Sequence, residues 1–406
     1  QGMASRRGLA ATPSWRRLYS TAPTRPRVQL SRAHGGKEIR GQYPGAGPWL
    51  YSRECSVAAW DGPPHAVVNL IDESNREAGV ATFCAYGRDT DVAARLLDSN
   101  VYTKIDVGFF RRRLSAAFDL RKHLFDEPFY RLCNGEGDQL PGVYVDRYDS
   151  TLVVKVIVGA MDALVPTIVE ALCAVVPGVA CVIVAGDAPE RNLERLPLVA
   201  PYVAWGSYEG ATKLRENDLS FVVDLLDGQQ WDFSKRSWRS DVADVCPSGG
   251  AVLDLYCGAG GFGMVCAARR GATVTAVDVD SGCINGVKVA TAVNGLGDSV
   301  STRHARAFEV LREIQEPQYD VVILDPPSFV LSRDHLREAY TLYRRLVTAA
   351  AGAVKVGGHM FLALNDGRLT FSSGAEHFYE GLHRAGRTGA VVATAPWISR
   401  CTRSCR

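Results

Sequence analysis

The chain has 406 residues, 47% of them hydrophobic and 22% charged, with a formal net charge of +2. That length exceeds one small core and calls for two or three domains. The composition is that of an ordinary globular protein, and no apolar run reaches the ~18 residues a membrane span needs. The eleven cysteines include no CxxC pair and no histidine partner at zinc spacing. Cys401 and Cys405 are too isolated for a four-ligand site, so no metal is expected, and reduced thiols in an intracellular compartment are.

Charge is unevenly placed. Up to Lys37 the chain carries Arg6, Arg7, Arg16, Arg17, Arg25, Arg27, Arg32 and Lys37 and no acid; the remainder holds 38 basic against 44 acidic residues, a net −6. The stretch MASRRGLAATPSWRRLYSTA is rich in Arg, Ser and Ala, as organellar targeting peptides are. Residues 1–37 are therefore expected to be a mitochondrial targeting segment, with a plastid one as the alternative. A basic tail that touches RNA directly is the competing reading. Because the body is acidic, any nucleic-acid footprint must be a local patch.

Residues 38–100 show short apolar runs (GPWLYS, HAVVNLID, GVATFCAY) broken by Gly, Pro and Asp, the pattern of a small β-rich module. Residues 107–125 place Val107, Phe110, Leu114, Ala117, Phe118 and Leu124 at helical spacing, with Arg111, Arg112, Arg113, Arg121 and Lys122 between them. This predicts an amphipathic helix with a solvated basic face. Further on, Gly135, Gly137 and Pro141-Gly142 mark turns. Strands joined at Asp149-Ser150, a helix over 161–174 and strands over 181–185 and 219–226 complete a central α+β domain ending near 235.

From 240 onward strands (252–256, 273–278, 299–303, 320–325, 358–364, 389–394) alternate with helices (261–270, 281–293, 306–315, 334–354, 374–385). This is the pattern of a doubly wound parallel sheet. The strand VLDLY runs into the turn Gly258-Ala-Gly260-Gly261-Phe-Gly263 and then a helix. Glycine permits the sharp turn and the close approach of a ligand. Asp254 can accept from an ammonium group, and Asp278, ending the next strand, can accept from ribose hydroxyls. Tyr256 lies between Asp254 and the turn. The strand DVVIL ends in Asp325-Pro326-Pro327-Ser-Phe329. Its prolines fix the backbone and remove two donors, so carbonyls near Asp325 can face a planar amine, and Phe329 can stack on an extruded base. Together these motifs specify S-adenosylmethionine (SAM) beside a flat acceptor. A dinucleotide dehydrogenase would share the glycine turn and the acid but needs no Asp-Pro-Pro-Ser-Phe.

With GPWLYS and AARLLD, RLCNGEGDQLPGVYVDRY (131–148), VLDLYCGAGGFG, Asp278 and DPPSF, the chain resembles the bacterial large-subunit rRNA 5-methylcytosine methyltransferase I family over roughly residues 38–395. The resemblance implies an α/β chain with a PUA-like RNA-binding domain (38–100), a central α+β domain (101–235) and a Rossmann-like class I methyltransferase domain (236–406). It implies that Asp254, Tyr256, Gly258, Gly260, Gly261, Asp278 and Asp325 hold SAM. Asp325, Pro326, Pro327 and Phe329 would face the target base, Arg236 and Arg239 would hold phosphates, and rRNA would be the partner.

Four departures from that family bear on activity. Its Gly-Gln-Lys-Thr-Gly-Phe-Phe-Leu-Asp-Gln-Arg segment is here DGQQWDFSKRSWR (227–239), which keeps Gly228, Gln229, Arg236 and Arg239. Arg306 stands where an acid would bind the adenine amine, and arginine only donates. After the fifth strand, Ala363 and Asn365 stand where thiols would, and cytosine carbon 5 is a poor nucleophile without thiolate addition. Asn365-Asp366 resembles methyltransferases of ring or exocyclic nitrogens. Finally, the chain stops soon after its sixth strand. These features leave two expectations: an organellar SAM-dependent rRNA methyltransferase, or a catalytically inactive rRNA-binding descendant acting in ribosome assembly or as a ribosomal component.

Overall fold

The computed structural model describes residues 25–30, 48–57, 60–86, 92–227, 231–329, 336–365 and 371–392. Residues up to 24, Gly228, Gln229, Asp366, the end of the expected strand 389–394, Cys401, Cys405 and the rest of the tail lie outside them. The chain divides into two compact units, one to Asp126 together with Arg131–Glu209, the other Glu127–Tyr130 together with everything from Gly210. The expected domain boundary at 235 falls inside the second.

The first unit contains one five-stranded sheet and all but the first two residues of another. One orders β1 (Arg27–Gln29), β3 (His65–Ile71), β4 (Glu77–Cys84), β5 (Val92–Asp98) and β2 (Trp49–Tyr51). Alternation in β3 sends Ala66, Val68 and Leu70 inward, as a half-buried strand requires. They meet Val28, Leu30, Leu50 and Phe83 in one core. Strand β1 pairs in parallel with β3, so the β-rich module begins before residue 38. Val28 and Leu30, inside the segment 1–37 expected to be a targeting peptide, are core residues of this sheet, and the short strand was hidden within an arginine-rich run.

The other sheet orders β10 (Val199–Gly206), β9 (Cys181–Gly186), β8 (Thr151–Val156), β7 (Val143–Tyr148) and β6 (Phe129–Asn134). Asp149 adopts a left-handed φ of 56° at the β7–β8 turn, where the sequence placed it. Helix α1 (Val107–Leu124) is capped by Asp106, whose carboxylate accepts from the Phe109 amide at 3.0 Å. It buries Phe109, Phe110, Leu114 and Ala117. Its basic face is not uniformly solvated. Arg121 is 1% exposed and grips Asp138 with both terminal nitrogens, whereas Arg111, Arg112 and Lys122 are exposed. Leu124, expected inside, is also exposed. The helix expected at 161–174 is two, α2 (Gly159–Asp162) and α3 (Val165–Val175). His65, Cys84 and Glu194 bring potential ligand atoms within 4.8 Å of one another, but the Glu194 carboxylate is taken by Arg95 (2.5 Å) and the Gly159 amide (2.9 Å).

The second unit opens with the hairpin β11 (Thr212–Glu216) and β12 (Leu219–Val223), followed by α4 (Arg236–Val245). Its main sheet is entirely parallel, ordered β15 (Val300–His304), β14 (Thr273–Asp278), β13 (Ala251–Leu255), β16 (Tyr319–Leu324) and β17 (Val354–Leu362). Helices α5 (Gly261–Arg270), α6 (Ser281–Val293), α7 (Ala307–Glu313), α8 (Leu336–Ala351) and α9 (Phe371–Arg384) connect or follow the strands. Leu253, Leu255, Val322 and Leu324 are fully buried and join Leu346 and Val347 of α8 in the core, as expected of a sheet covered by helices. Residues 389–392 form no strand, so the sixth strand is not seen among the described residues, where β17 is the sheet's edge.

Candidate active site

In an open α/β sheet, ligands bind beyond the carboxyl ends of the strands where the order reverses. Here β13 is followed on one side by β14 and on the other by β16. The ends of these three strands carry Asp254, Asp278 and Asp325.

The turn after β13 is built for close approach. Tyr256, Gly258 and Gly260 all have positive φ (61°, 53° and 85°); Tyr256 is a non-glycine residue held in a costly conformation of the kind that gathers at functional sites. Burial, then the charge of Asp278, pushes the Tyr256 hydroxyl up to about 12. A Cβ at Gly258 would meet nothing within 4 Å, whereas one at Gly261 would lie 2.5 Å from Arg239 Nε. The turn therefore packs on the protein at Gly261 and faces open space at Gly258.

Asp254 is wholly buried. Its Oδ2 accepts from the Gly263 amide at 2.9 Å, and its Oδ1 has no hydrogen-bond donor. Burial raises its pKa to about 7, the Gly263 amide opposing and the charges of Asp325 and Asp278 assisting. Because the folded value lies above the ordinary 3.8, the unfolded chain releases this proton first. Stability from this group is thus present at acid pH and lost as pH rises from about 4 through about 7. Asp254→Asn is expected to remove that loss and make the ligand-free protein more stable at pH ~8 by a few kcal/mol. Thermal melts across pH read this directly; parallel curves for the two proteins contradict it.

Asp278 Oδ2 accepts from the Gly258 amide (2.9 Å) and Oδ1 from the Asp280 amide (2.9 Å). The carboxylate is thereby fixed beside the turn, with lone pairs left for hydroxyl donors.

At the end of β16, Asp325 forms a clamp the sequence did not reveal. Lys235 Nζ donates to both its oxygens at 2.7 and 2.8 Å. Asn365 Nδ2, beyond β17, donates to Asp325 Oδ1 at 2.9 Å and to the Pro326 carbonyl at 2.6 Å. Lys235 is 7% exposed and is aimed by the short turn Phe233–Lys235, where Asp232 caps the Ser234 amide. Pro326 is buried and Pro327 exposed. Phe329, half-buried, leans on the Tyr343 ring with centroids 4.8 Å apart.

Arg236 and Arg239, expected to hold phosphates, are engaged within the protein instead. Arg239 donates to Glu216 Oε1 (2.5 Å) and to the Asp232 carbonyl (2.9 Å), and its guanidinium lies 4.2 Å from the centroid of the Trp231 ring. Arg236 donates to Glu216 Oε2 (3.1 Å) and to the Phe129 carbonyl (2.5 Å). Trp231 Nε1 also donates to Glu216 (3.0 Å). The Glu216 side chain is 1% exposed, so two guanidiniums and an indole converge on one buried carboxylate. Arg306 is exposed, immediately before α7.

The cysteines near the site are not poised as nucleophiles. Cys257 is pushed well above its ordinary value by burial and by Asp254 and Asp278. Cys283 is pushed up to about 12, chiefly by burial. A thiolate, not a thiol, attacks.

Comparison with known proteins places the chain among methyltransferases. Residues 242–380 match the Methyltransferase small domain family. Proteins named Ribosomal RNA large subunit methyltransferase I align over most of the chain. That of Alteromonas mediterranea is 29% identical over 354 residues, covering 85% of this chain and 88% of its own. That of Shewanella denitrificans is 28% identical over 321 residues, covering 77% and 79%. In fold, the chain is similar to a putative SAM-dependent methyltransferase from Streptococcus mutans (TM-score 0.72, 19% identity, 88% of this chain and 90% of that one). It is equally similar to a putative methyltransferase complexed with SAH (TM-score 0.72, 20% identity, the same coverage). The chain is a homologue of the Ribosomal RNA large subunit methyltransferase I proteins, with a Rossmann-like methyltransferase domain in its C-terminal half.

Proposed function

We propose that this protein transfers a methyl group from SAM to a nitrogen of an organellar large-subunit rRNA nucleotide. The observation that carries the reading is the convergence of Asp254, Asp278 and Asp325 at adjacent strand ends around a turn whose Gly258 faces open space. These residues fit SAM. The donorless Oδ1 of Asp254 is the acceptor an ammonium group would satisfy. Asp278 suits ribose hydroxyls, and Gly258 leaves the backbone bare beside them, while Gly260 and Gly261 let the turn pack closely on Val287 and Arg239. Bound SAM supplies an electrophilic methyl group. The protein's part is to orient the acceptor: Lys235 and Asn365 fix Asp325, whose carboxylate would take a hydrogen bond from an amine, and Phe329 offers a ring edge to a base.

Nitrogen is favoured over cytosine carbon 5 because Asn365, not a thiol, stands beside Asp325 and Pro326. A nitrogen lone pair attacks without prior covalent activation. The rRNA assignment follows the names of the relatives. The β-rich module built on β1–β5 is read as the PUA-like RNA-holding part. Residues before Arg25 are read as a mitochondrial leader, with a plastid leader as the alternative; a mature N-terminus beyond Gln29, read by mass spectrometry, contradicts that boundary.

Asp278→Ala is expected to weaken SAM binding by roughly 1–3 kcal/mol, since it leaves bound hydroxyls unpaired. Isothermal titration measures this, and an unchanged affinity means that Asp278 does not hold the ribose.

A further inference from the structure

We propose that the groove between α7, α8 and α9 is a second RNA contact, one that binds backbone phosphates away from the methyl-transfer site. The groove has a volume of about 490 Å³ and is lined by Phe308, Arg312, Arg344, Arg345, Thr348 and Arg384, among others. Four guanidiniums thus border one concavity in a chain whose residues after Lys37 carry a net negative charge.

Helix packing forces the arrangement. A Cβ at Gly381 would come 2.7 Å from Val347, and Thr348 Oγ1 donates to the Gly381 carbonyl at 3.1 Å. Helices α8 and α9 therefore approach closely, and their arginines gather on one side. Two nearby acids are already committed, while exposed Glu376 borders a separate concavity that it shares with Arg384. Glu380 accepts from Arg344 (2.7 Å) and Glu313 from Arg303 (2.7 Å). Arg312, Arg345 and Arg384 are exposed, and their guanidiniums have no ion pair among the described residues. Arg344 Nε is buried without an acceptor. The Arg345 guanidinium lies 5.8 Å from the centroid of the half-buried Phe308 ring, giving the groove an aromatic floor.

The chemistry that satisfies such a surface is phosphate. The guanidinium fork matches phosphate oxygens two at a time, and an aromatic surface beside it tolerates any base. Phosphates spaced along an RNA strand meet several arginines at once, which a lone anion does not. Helices of a parallel α/β unit run back against their strands. Arg312 and Arg384, in the last turns of α7 and α9, therefore lie toward the opposite end of the sheet from Asp254 and Asp325. The groove would hold RNA that wraps the domain rather than the base that reacts. This inference rests on the reading that RNA is the substrate.

The test measures binding of a short fluorescein-labelled single-stranded RNA to the full chain by anisotropy across salt concentrations. The double variant Arg345→Gln, Arg384→Gln is expected to bind roughly tenfold more weakly at about 0.15 M salt, with the slope of log K against log salt reduced by about 1.4, near 0.7 for each lost phosphate contact on a single strand. The double lysine variant should keep most of the slope. SAM affinity should stay at the wild-type value in both, which also shows that the fold survives. Should the double glutamine variant lose SAM binding, the single exposed change Arg312→Gln carries the test, with a slope change of about 0.7 expected. A variant that binds SAM and RNA as the wild type does overturns the groove alone. A wild-type protein that binds SAM but no RNA overturns both the groove and the rRNA reading.

Discussion

Asp325→Ala is expected to abolish methyl transfer and to destabilise the protein by about 3 kcal/mol, because Lys235 would be left buried with only the more distant Asp232 carboxylate, at 3.5 Å, in place of its two-oxygen partner. The side chains of the pair are 9% and 13% exposed, so water can replace little of what is removed. Losing one partner costs far more than losing both. Lys235→Met combined with Asp325→Leu should therefore recover much of the stability while remaining inactive. Urea midpoints for the two single variants and the double variant give the coupling. If the two single changes simply add, the clamp is not a stability element and Lys235 has another role. Asp325→Asn keeps an acceptor for Lys235 and should sit between the wild type and the alanine variant in stability.

Glu216→Ala should have a comparable or larger effect, about 3–5 kcal/mol, since it strands Arg236 and Arg239 and leaves the Trp231 indole nitrogen without its acceptor. The consequence reaches the cofactor turn, because Arg239 Nε stands 2.5 Å from where a Gly261 Cβ would be. Loss of the anchor for Arg239 removes the floor of that turn, so SAM affinity should fall with stability. Glu216→Gln should restore part of each. Denaturant unfolding with parallel SAM titration checks this; a stable Glu216→Ala protein with wild-type SAM affinity contradicts the role assigned to the cluster.

These two clusters mark where the sequence stops being legible. Strand-end acids are readable because β13, β14 and β16 announce themselves by apolar runs; Asp278 and Asp325 sit where their runs end, and Asp254 one residue before the end of its strand. Asp254, Asp278 and Asp325 were found that way, as were the parallel sheet and its helices. Lys235 was not, because its partner lies 90 residues on and no periodicity links a turn residue to a distant strand end. Arg236 and Arg239 were recognised, but their partner Glu216 was not. Glu216, 20 and 23 residues earlier, belongs to a hairpin whose carboxylate could as well have faced water. Arg121 was misread for the same reason: a basic residue on a helix looks solvated until its acid, here Asp138, is folded against it. Strand β1 escaped because three residues of pairing with β3 leave almost no compositional trace within a run of arginines.

The central claim is that methyl transfer from SAM to an rRNA nitrogen takes place at the ends of β13, β14 and β16. The most direct measurement is to incubate the full-length protein with methyl-labelled SAM and large-subunit rRNA, then digest the RNA and identify the labelled nucleoside by mass spectrometry. The account predicts label on a ring or exocyclic nitrogen, lost in Asp325→Ala. Label on cytosine carbon 5 contradicts the acceptor chemistry, and rRNA that stays unlabelled contradicts the enzyme itself.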